Sequence, residues 1–230
     1  MKPVVVRNIV RADANAIGTL EGCGVSTAHE ALGRSGLMKT YLRPIWPGAQ
    51  IAGPAVTVLL QPGDNWMLHV VIEQCKKGDI VVAGCTTDNT DGMFGELLAT
   101  SMQARGIKGL VLDAGCRDVK ELHKMGFPVW SRAVSAKGTV KATPGAVNVP
   151  VVCAGVNVEP GDVVVADDDG VVVIPKKLAV ETAAKAQKRK DDEDGKRQQL
   201  AKGVLGLDMY KMREGLEKAG LRYVDRPEDA

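Results

Sequence analysis

Glu96, Arg117 and Asp118 are the residues of this chain whose types and spacing could do chemistry. A glycine-rich stretch, Asp91-Gly-Met-Phe-Gly95, runs into a segment of helical periodicity that begins at Glu96. It reads as a loop followed by a helix over 96–105. A short apolar run, Leu110 to Leu112, reads as a strand that ends in Asp113-Ala-Gly-Cys-Arg117-Asp118. Acidic and basic side chains therefore meet at the ends of neighbouring elements, where α/β proteins keep their sites. Carboxylates in loops suit a hard cation such as Mg²⁺, which takes one or two of them and keeps several waters. Asp118 as direct ligand, with Glu96 holding ligand waters, fits that pattern. Gly92 and Gly95 let the backbone turn sharply and approach a ligand closely. The amides of Leu97 and Leu98 fall in the first turn of the helix, where unpaired N–H groups and the dipole favour an anion such as a substrate carboxylate. A plainer reading competes: an Arg-Asp dipeptide often marks only a helix start with a weak surface ion pair, and the glycines serve only a turn.

Other chemistries find less support. The three histidines (His29, His69, His123) lie far apart with no helical His–His or Glu–His pairing, so a zinc site is not expected. There is no Gly-x-Ser-x-Gly elbow. Lys108, beside Gly109, reads as solvated, whereas a Schiff-base lysine needs a desolvating pocket. Cys116 adjoins Arg117 but has no histidine to serve it, and reads as a core or supporting residue. His69 lies on a helix over 66–76 and reads as a structural histidine or a polar pocket wall. Gly22-Cys-Gly24 is too little for a dinucleotide fingerprint.

These residues must be positioned by the rest of 230 residues, enough for one large domain or a domain with an appendage. Thirty basic against twenty-eight acidic residues give a net charge of +2, and aromatics are 3%, so nucleic acid is not expected as a partner. The five cysteines are scattered without Cys-x-x-Cys spacing, as in a reduced, cytoplasmic protein. The N-terminal residues show no signal-peptide pattern, and no apolar run reaches membrane-spanning length. Asp13 or the residue before it should cap a helix that Gly22 and Gly24 break, with a second helix capped by Ser26. Strands are expected over 52–60, 80–83 and 128–131, alternating with helices over 66–76, 96–105 and 119–125. That order implies right-handed crossovers and an at least partly parallel sheet. Residues 135–152 read as hairpins and loops. Residues 158–175 read as two strands around an Asp-Gly turn. Gly78-Asp79-Ile-Val-Val-Ala and Gly161-Asp162-Val-Val-Val-Ala are near copies, one turn-and-strand solution used twice. A polar helix over 176–202 and a last helix over 205–219 form an arm. Two regions follow: a catalytic domain over 1–175 and a helical arm over 176–230 that packs on a neighbouring subunit.

Gly95-Glu96-Leu-Leu-Ala, followed by Ala104-Arg-Gly-x-x-Gly-Leu-Val-x-Asp113-x-Gly-x-Arg117-Asp118, resembles the metal-dependent pyruvate aldolases. Their type is 4-hydroxy-4-methyl-2-oxoglutarate / 4-carboxy-4-hydroxy-2-oxoadipate aldolase, and the same family holds the regulators of ribonuclease E activity. The resemblance extends through Pro62-Gly-Asp-Asn-Trp-Met-Leu-His69, Met125-Gly-Phe-Pro-Val-Trp130 and Ala166-Asp-Asp-Asp-Gly170. The aldolase pattern is an acidic residue, twenty positions, then Arg-Asp, and twenty residues stand between Glu96 and Arg117. The family's acidic residue is often Asp; here it is Glu, with longer reach.

The resemblance implies a swivelling β/β/α-type fold with a mixed sheet, assembled as trimers or hexamers with sites at subunit interfaces. It makes Asp118 the ligand of Mg²⁺, Mn²⁺ or another divalent cation. Arg117 would contact the pyruvyl oxygens, and the backbone from Gly95 through Glu96, Leu97 and Leu98 would take the substrate carboxylate. Glu193, within Asp191-Asp-Glu193-Asp, would complete a neighbouring subunit's site. The implied substrate is a small 4-hydroxy-2-oxo diacid, cleaved to pyruvate plus pyruvate or oxaloacetate, with oxaloacetate decarboxylation as a side activity. The alternative is a non-catalytic inhibitor of ribonuclease E, against which the Glu193 arm and the low basicity argue. No membrane partner is implied.

Overall fold

The computed structural model describes residues 2–226 and Glu228. In chain order the elements are β1 (Val4–Val5), α1 (Ala14–Ala31), β2 (Arg43–Pro44), β3 (Ile51–Leu60), α2 (Trp66–Gln74), β4 (Ile80–Cys85), β5 (Gly92–Phe94), α3 (Glu96–Ala104), β6 (Gly109–Cys116) and α4 (Val119–Met125). There follow β7 (Val129–Val134), β8 (Ala146–Val147), β9 (Val151–Cys153), β10 (Val156–Val158), β11 (Val163–Asp167), β12 (Gly170–Ile174), α5 (Ala179–Ala201), α6 (Gly206–Met209) and α7 (Arg213–Lys218). The chain divides into two compact units, one up to Lys188 and one from Arg189 onward.

The first unit is built on a parallel ladder. β3, β4, β6 and β7 pair side by side in that order, all parallel. Each crossover carries a helix (α2, α3 or α4), as the strand–helix alternation in the sequence requires. These strands are buried on both faces, which is why they read as continuous Val/Ile/Leu runs. Alternation decides which core each side chain joins. Val81, Ala83, Leu110 and Leu112 pack under the helices with Leu68, Val71, Met102 and Leu122. Ile80, Val82 and Val111 point the other way, against Trp130, Val151 and Val164. Antiparallel additions complete a mixed sheet that has ten strands among the described residues: β11 pairs with β3 and β12, β8 with β3, and β2 with β7. The α/β class with a mixed sheet and a C-terminal helical arm is therefore what the chain adopts.

The two near-copies are one turn used twice. Gly78 and Gly161 both sit at positive φ (93° and 88°), where a side chain would be strained. Each following aspartate accepts the amide three residues back: Lys76 N to Asp79 Oδ2 at 2.6 Å, Glu159 N to Asp162 Oδ2 at 3.0 Å. The remaining valences differ. Asp162 Oδ1 takes the Lys176 amide at 2.9 Å. Asp79, almost fully buried, takes a two-pronged Arg11 guanidinium at 2.8 and 2.7 Å, which ties the N-terminal segment to the sheet.

Several expectations need correction. Asp13 caps α1 through the Ala16 amide at 2.9 Å, as expected, but the helix is kinked at Gly24 (φ 77°) rather than ended and restarted by Ser26. The amide freed at Val25 is taken by Asp167 Oδ2 at 2.8 Å, while the Ser26 hydroxyl donates to Asp169 at 2.8 Å. Asp168 accepts the Gly48 amide at 2.9 Å. The Asp167-Asp168-Asp169 turn thus docks loops and a broken helix. β6 runs on to Cys116, so Asp113 is a strand residue; it faces Tyr41 and Arg132, each bonded at 2.9 Å, away from Asp118. The loop expected over 84–95 contains β5, paired with the end of β6. Lys108 is not free in solvent: it bonds Glu21 at 3.0 Å and the Ala52 carbonyl at 2.9 Å. The last expected helix is two, α6 and α7, separated by Lys211 at φ 53°.

The polar helix is found as a 3₁₀ turn over Lys176–Leu178 leading into α5. The start of α5 belongs to the first unit, burying Ala179, Ala183 and Ala186 against Ile17 and Leu20. In the second unit, Arg213 pairs with Asp208 at 2.5 Å and the Lys196 ammonium lies over the Tyr210 ring. Among the described residues no helix is long and apolar enough to cross a membrane.

Removing the Arg11 guanidinium leaves a buried carboxylate without its counter-charge. Arg11→Met is expected to destabilise the fold by about 3 kcal/mol, read as a lower urea midpoint with an unchanged slope.

Candidate functional site

The site grows from the ends of two adjacent parallel strands. β5 enters α3 through Gly95, and β6 enters α4 through Arg117 and Asp118. The Arg117 amide donates to the Phe94 carbonyl at 2.8 Å, so the two strand ends are locked together. Asp118 stands at the N-cap position of α4 but does not cap it. Its backbone is left-handed (φ 57°, ψ 36°), a costly conformation for a residue with a Cβ and one that persists where the surroundings impose it. The carboxylate turns instead to the neighbouring helix: Oδ2 accepts the Glu96 amide at 3.0 Å and lies 3.8 Å from Arg117 Nε. The pair is thus a helix start with an exposed, weak ion contact, as the plainer reading has it, but its carboxylate also reaches across to α3.

The two glycines serve close approach rather than a sharp turn. Gly95 is extended (φ −158°), a backbone any residue adopts. A Cβ there would collide with the Asp118 carboxylate and crowd Arg117. A Cβ on Gly92 would collide with the Ser135 carbonyl and touch Arg117. With no side chain in the way, Arg117 and Asp118 lie directly against the loop.

A cavity of about 130 Å³ opens here, lined by Asn65, His69, Met93, Gly95, Leu97, Leu98, Arg117, Asp118 and Lys141. Within it the Leu97 and Leu98 amides open α3, and no acceptor for either occurs among the described residues. Leu98 packs in the core, whereas the Leu97 side chain is 81% exposed. Glu96 contributes its amide; its carboxylate accepts the Thr100 hydroxyl at 2.9 Å along the helix. Cys116 is fully buried, burial pushes its thiol pKa up, and it belongs to the core. Glu193 belongs to the second unit, on α5, paired with Arg189 at 2.9 Å.

Two polar lining residues were not identified from the sequence. Lys141 lies in an irregular segment without periodicity and gave no signal. Asn65 belongs to what read as a simple turn; its Nδ2 donates to the Met93 carbonyl at 3.1 Å, while its buried Oδ1 has no partner. Beside it, Asp64 accepts the amides of Trp66, Ala142 and Thr143 at 2.9, 2.8 and 2.7 Å. Burial works to raise the Asp64 pKa, but the three amides outweigh it and hold the carboxyl below its ordinary range. His69 forms a cavity wall. Partial desolvation, then the Lys141 charge, lower its pKa, so the ring is neutral at pH 7.

The donor set fits a hard cation held by one protein carboxylate. Asp118 is 40% exposed, and its Oδ1 has no partner among the described residues. Among the described residues no group of three or more His, Cys, Asp or Glu is placed to hold a metal ion, so further ligands would be waters and substrate oxygens. Arg117 and Lys141 also make the cavity attractive to anions.

Residues 22–173 match the family model described as RraA-like: Aldolase/RraA. The chain belongs to the RraA-like family. A protein of Halalkalibacterium halodurans named "Putative 4-hydroxy-4-methyl-2-oxoglutarate aldolase" is 31% identical, over 75% of this chain and 82% of its own. A crystal structure from Pseudomonas syringae pv. tomato superposes with a TM-score of 0.76 at 25% identity, covering 89% of this chain and all of that one. Streptomyces coelicolor RraAS2, described as an unusual member of the RNase ES inhibitor RraA protein family, gives a TM-score of 0.74 at 28% identity, over 83% of this chain and 99% of its own. The family thus includes members named as aldolases and members named as ribonuclease inhibitors.

Because Lys141 helps hold the His69 pKa down, Lys141→Met should move the His69 titration midpoint upward in an NMR pH series. The return should be partial, since desolvation remains; an unchanged midpoint would show that the ammonium does not face this ring.

Proposed function

We propose that the protein is a divalent-metal-dependent aldolase that cleaves 4-hydroxy-2-oxo diacids to pyruvate and a second 2-oxo acid. 4-Hydroxy-4-methyl-2-oxoglutarate and 4-carboxy-4-hydroxy-2-oxoadipate are the expected substrates. The observation that carries this is the Asp118 carboxylate, held in a left-handed turn beside Arg117 at the N-terminus of α3. The relatives named as aldolases support the same reading.

Asp118 would hold Mg²⁺ or Mn²⁺, with the Glu96 amide orienting its carboxylate. The cation supplies Lewis-acid stabilisation of negative charge developing on the 2-oxo oxygen. The Leu97 and Leu98 amides bind the carboxylate next to that oxygen, using the helix N-terminus. The Arg117 guanidinium would donate to the same oxygen while the C4 hydroxyl gives its proton to a water, C4 becomes the carbonyl of the second product and the C3–C4 bond breaks. Its electron pair passes to C3 and the carbonyl, and water then protonates C3 to give pyruvate. Loss of CO₂ from oxaloacetate would deliver the same enolate, so a decarboxylase side activity is expected. Glu193, supplied from the arm of a neighbouring copy in a trimer or hexamer, is proposed to complete the site. The division proposed with it is a catalytic domain over 1–175 and an arm over 176–230, although the start of α5 packs within the first unit, which runs to Lys188.

The likeness to RraAS2 favours one second reading, inhibition of a ribonuclease of the E type. A lactate-dehydrogenase-coupled pyruvate assay separates the two. Metal-dependent release that EDTA abolishes supports the aldolase; its absence with both diacids, together with inhibition of ribonuclease E, would establish the second.

Two variants test the roles. Arg117→Ala should lower kcat/KM by about 10²–10³-fold, the cost of one donor to a developing oxyanion, with the thermal midpoint unchanged. Asp118→Asn should lose both turnover and the response to added Mg²⁺.

A further inference from the structure

Residues 135–145 contribute Lys141 to the cavity lining yet contain no helix or strand, only an isolated bridge between Val140 and Asp64. Lys141 is carried by this segment, so something other than regular structure must fix it. The fixing contacts converge on one turn. Val140 donates to the Gly63 carbonyl at 2.9 Å and accepts from the Asn65 amide at 3.1 Å. On the other side of Lys141, the Ala142 and Thr143 amides both donate to Asp64 Oδ2 at 2.8 and 2.7 Å. The other oxygen, Oδ1, takes the Trp66 amide at 2.9 Å, where α2 begins. Asp64 is 4% exposed and so joins the helix carrying His69 to the segment carrying Lys141.

The Lys141 ammonium has no ion-pair partner among the described residues, although it lines the cavity with Arg117 and Asp118. Arg117 and Lys141 stand against two carboxylates: Asp118, and Asp64, which is buried and bonded to three amides but still feels the Lys141 charge. With a divalent cation added, the balance calls for a ligand bearing more than one negative charge. The α3 amides and Arg117 account for one carboxylate and the neighbouring oxygen, which leaves Lys141 for another.

We infer that Asp64 is a positioning residue that holds Lys141 over the cavity, where Lys141 takes the second carboxylate of a dicarboxylic 2-oxo acid. This rests on the reading of the cavity as a 2-oxo acid site. Asp64→Asn keeps the size of the side chain but removes its charge and leaves one acceptor oxygen, with a donor NH₂ in place of the other, for three amides. The anchor of the segment is then weakened while the sheet keeps its own bonds.

Calorimetry on the full-length protein with Mg²⁺ tests this with two probes, 2-oxoglutarate and pyruvate. Asp64→Asn should weaken 2-oxoglutarate about tenfold, the scale of one charge-assisted contact, and leave pyruvate unchanged. Lys141→Met should give the same pattern, and the double variant should lose no more than Lys141→Met alone. Amide exchange at Ala142 and Thr143 should rise in Asp64→Asn while that of β4 and β6 does not. Equal weakening of both ligands, or unchanged 2-oxoglutarate affinity in either single variant, would overturn the inference. If Asp64→Asn does not fold, Asp64→Glu, which displaces the acceptor by one methylene, carries the same comparison. A wild type that binds neither probe overturns it as well. These affinity changes without pyruvate release from any diacid would remove the proposed reaction and leave the Asp64 role standing.

Discussion

The hydrogen bond from the Glu96 amide to the Asp118 carboxylate is the contact on which the site depends. It joins the start of α3 to the turn before α4, two points separated by a whole helix and strand in the sequence. The parallel ladder makes it possible, because β5 and β6 end side by side and the Arg117 amide is bonded to Phe94. Its cost is a left-handed residue with a Cβ, on the order of 1–3 kcal/mol. The buried sheet and the Leu122 anchor of α4 hold that turn in place. A surface loop of the same composition would relax into an ordinary N-cap.

Charge is distributed by the same logic. Carboxylates that serve the fold are saturated with donors: Asp79 by Arg11, Asp162 and Asp167 by amides, Asp113 by Tyr41, Arg132 and the Ala154 amide. Asp113 in turn pushes the Tyr41 hydroxyl up, after burial, and Arg132 lies over the Tyr41 ring. Asp118 differs in keeping one oxygen free, and Lys141 in making no ion pair among the described residues. Groups left unsatisfied beside a cavity are where a ligand gains most, since binding supplies what folding did not.

Much of this was legible in the chain. Apolar runs of four to eight residues alternating with amphipathic segments gave the strands of the ladder and the helices between them, since burial on both faces leaves no other composition. The repeated Gly-Asp turn was recognisable because its chemistry is local: a left-handed glycine, then a carboxylate reaching an amide three residues back. Glu96 and Arg117 stand at two strand ends that the fold brings together, since strand and helix lengths are set by the chain itself.

What only the tertiary structure decided are relations between segments distant in sequence. Asp113 and Asp118 are five residues apart, yet strand alternation and the length of β6 send them to different places. The Asp167-Asp168-Asp169 turn is the hairpin end its sequence suggests, and it also takes the amide and hydroxyl of a broken helix about 140 residues away. Lys141 and Asn65 entered the cavity from a segment without periodicity and from a simple turn. Sequence therefore determined the elements, the family and the Arg117–Asp118 centre, all written in local pattern. The walls of the cavity were decided by packing, because which loop faces which strand end depends on the order of strands in the sheet.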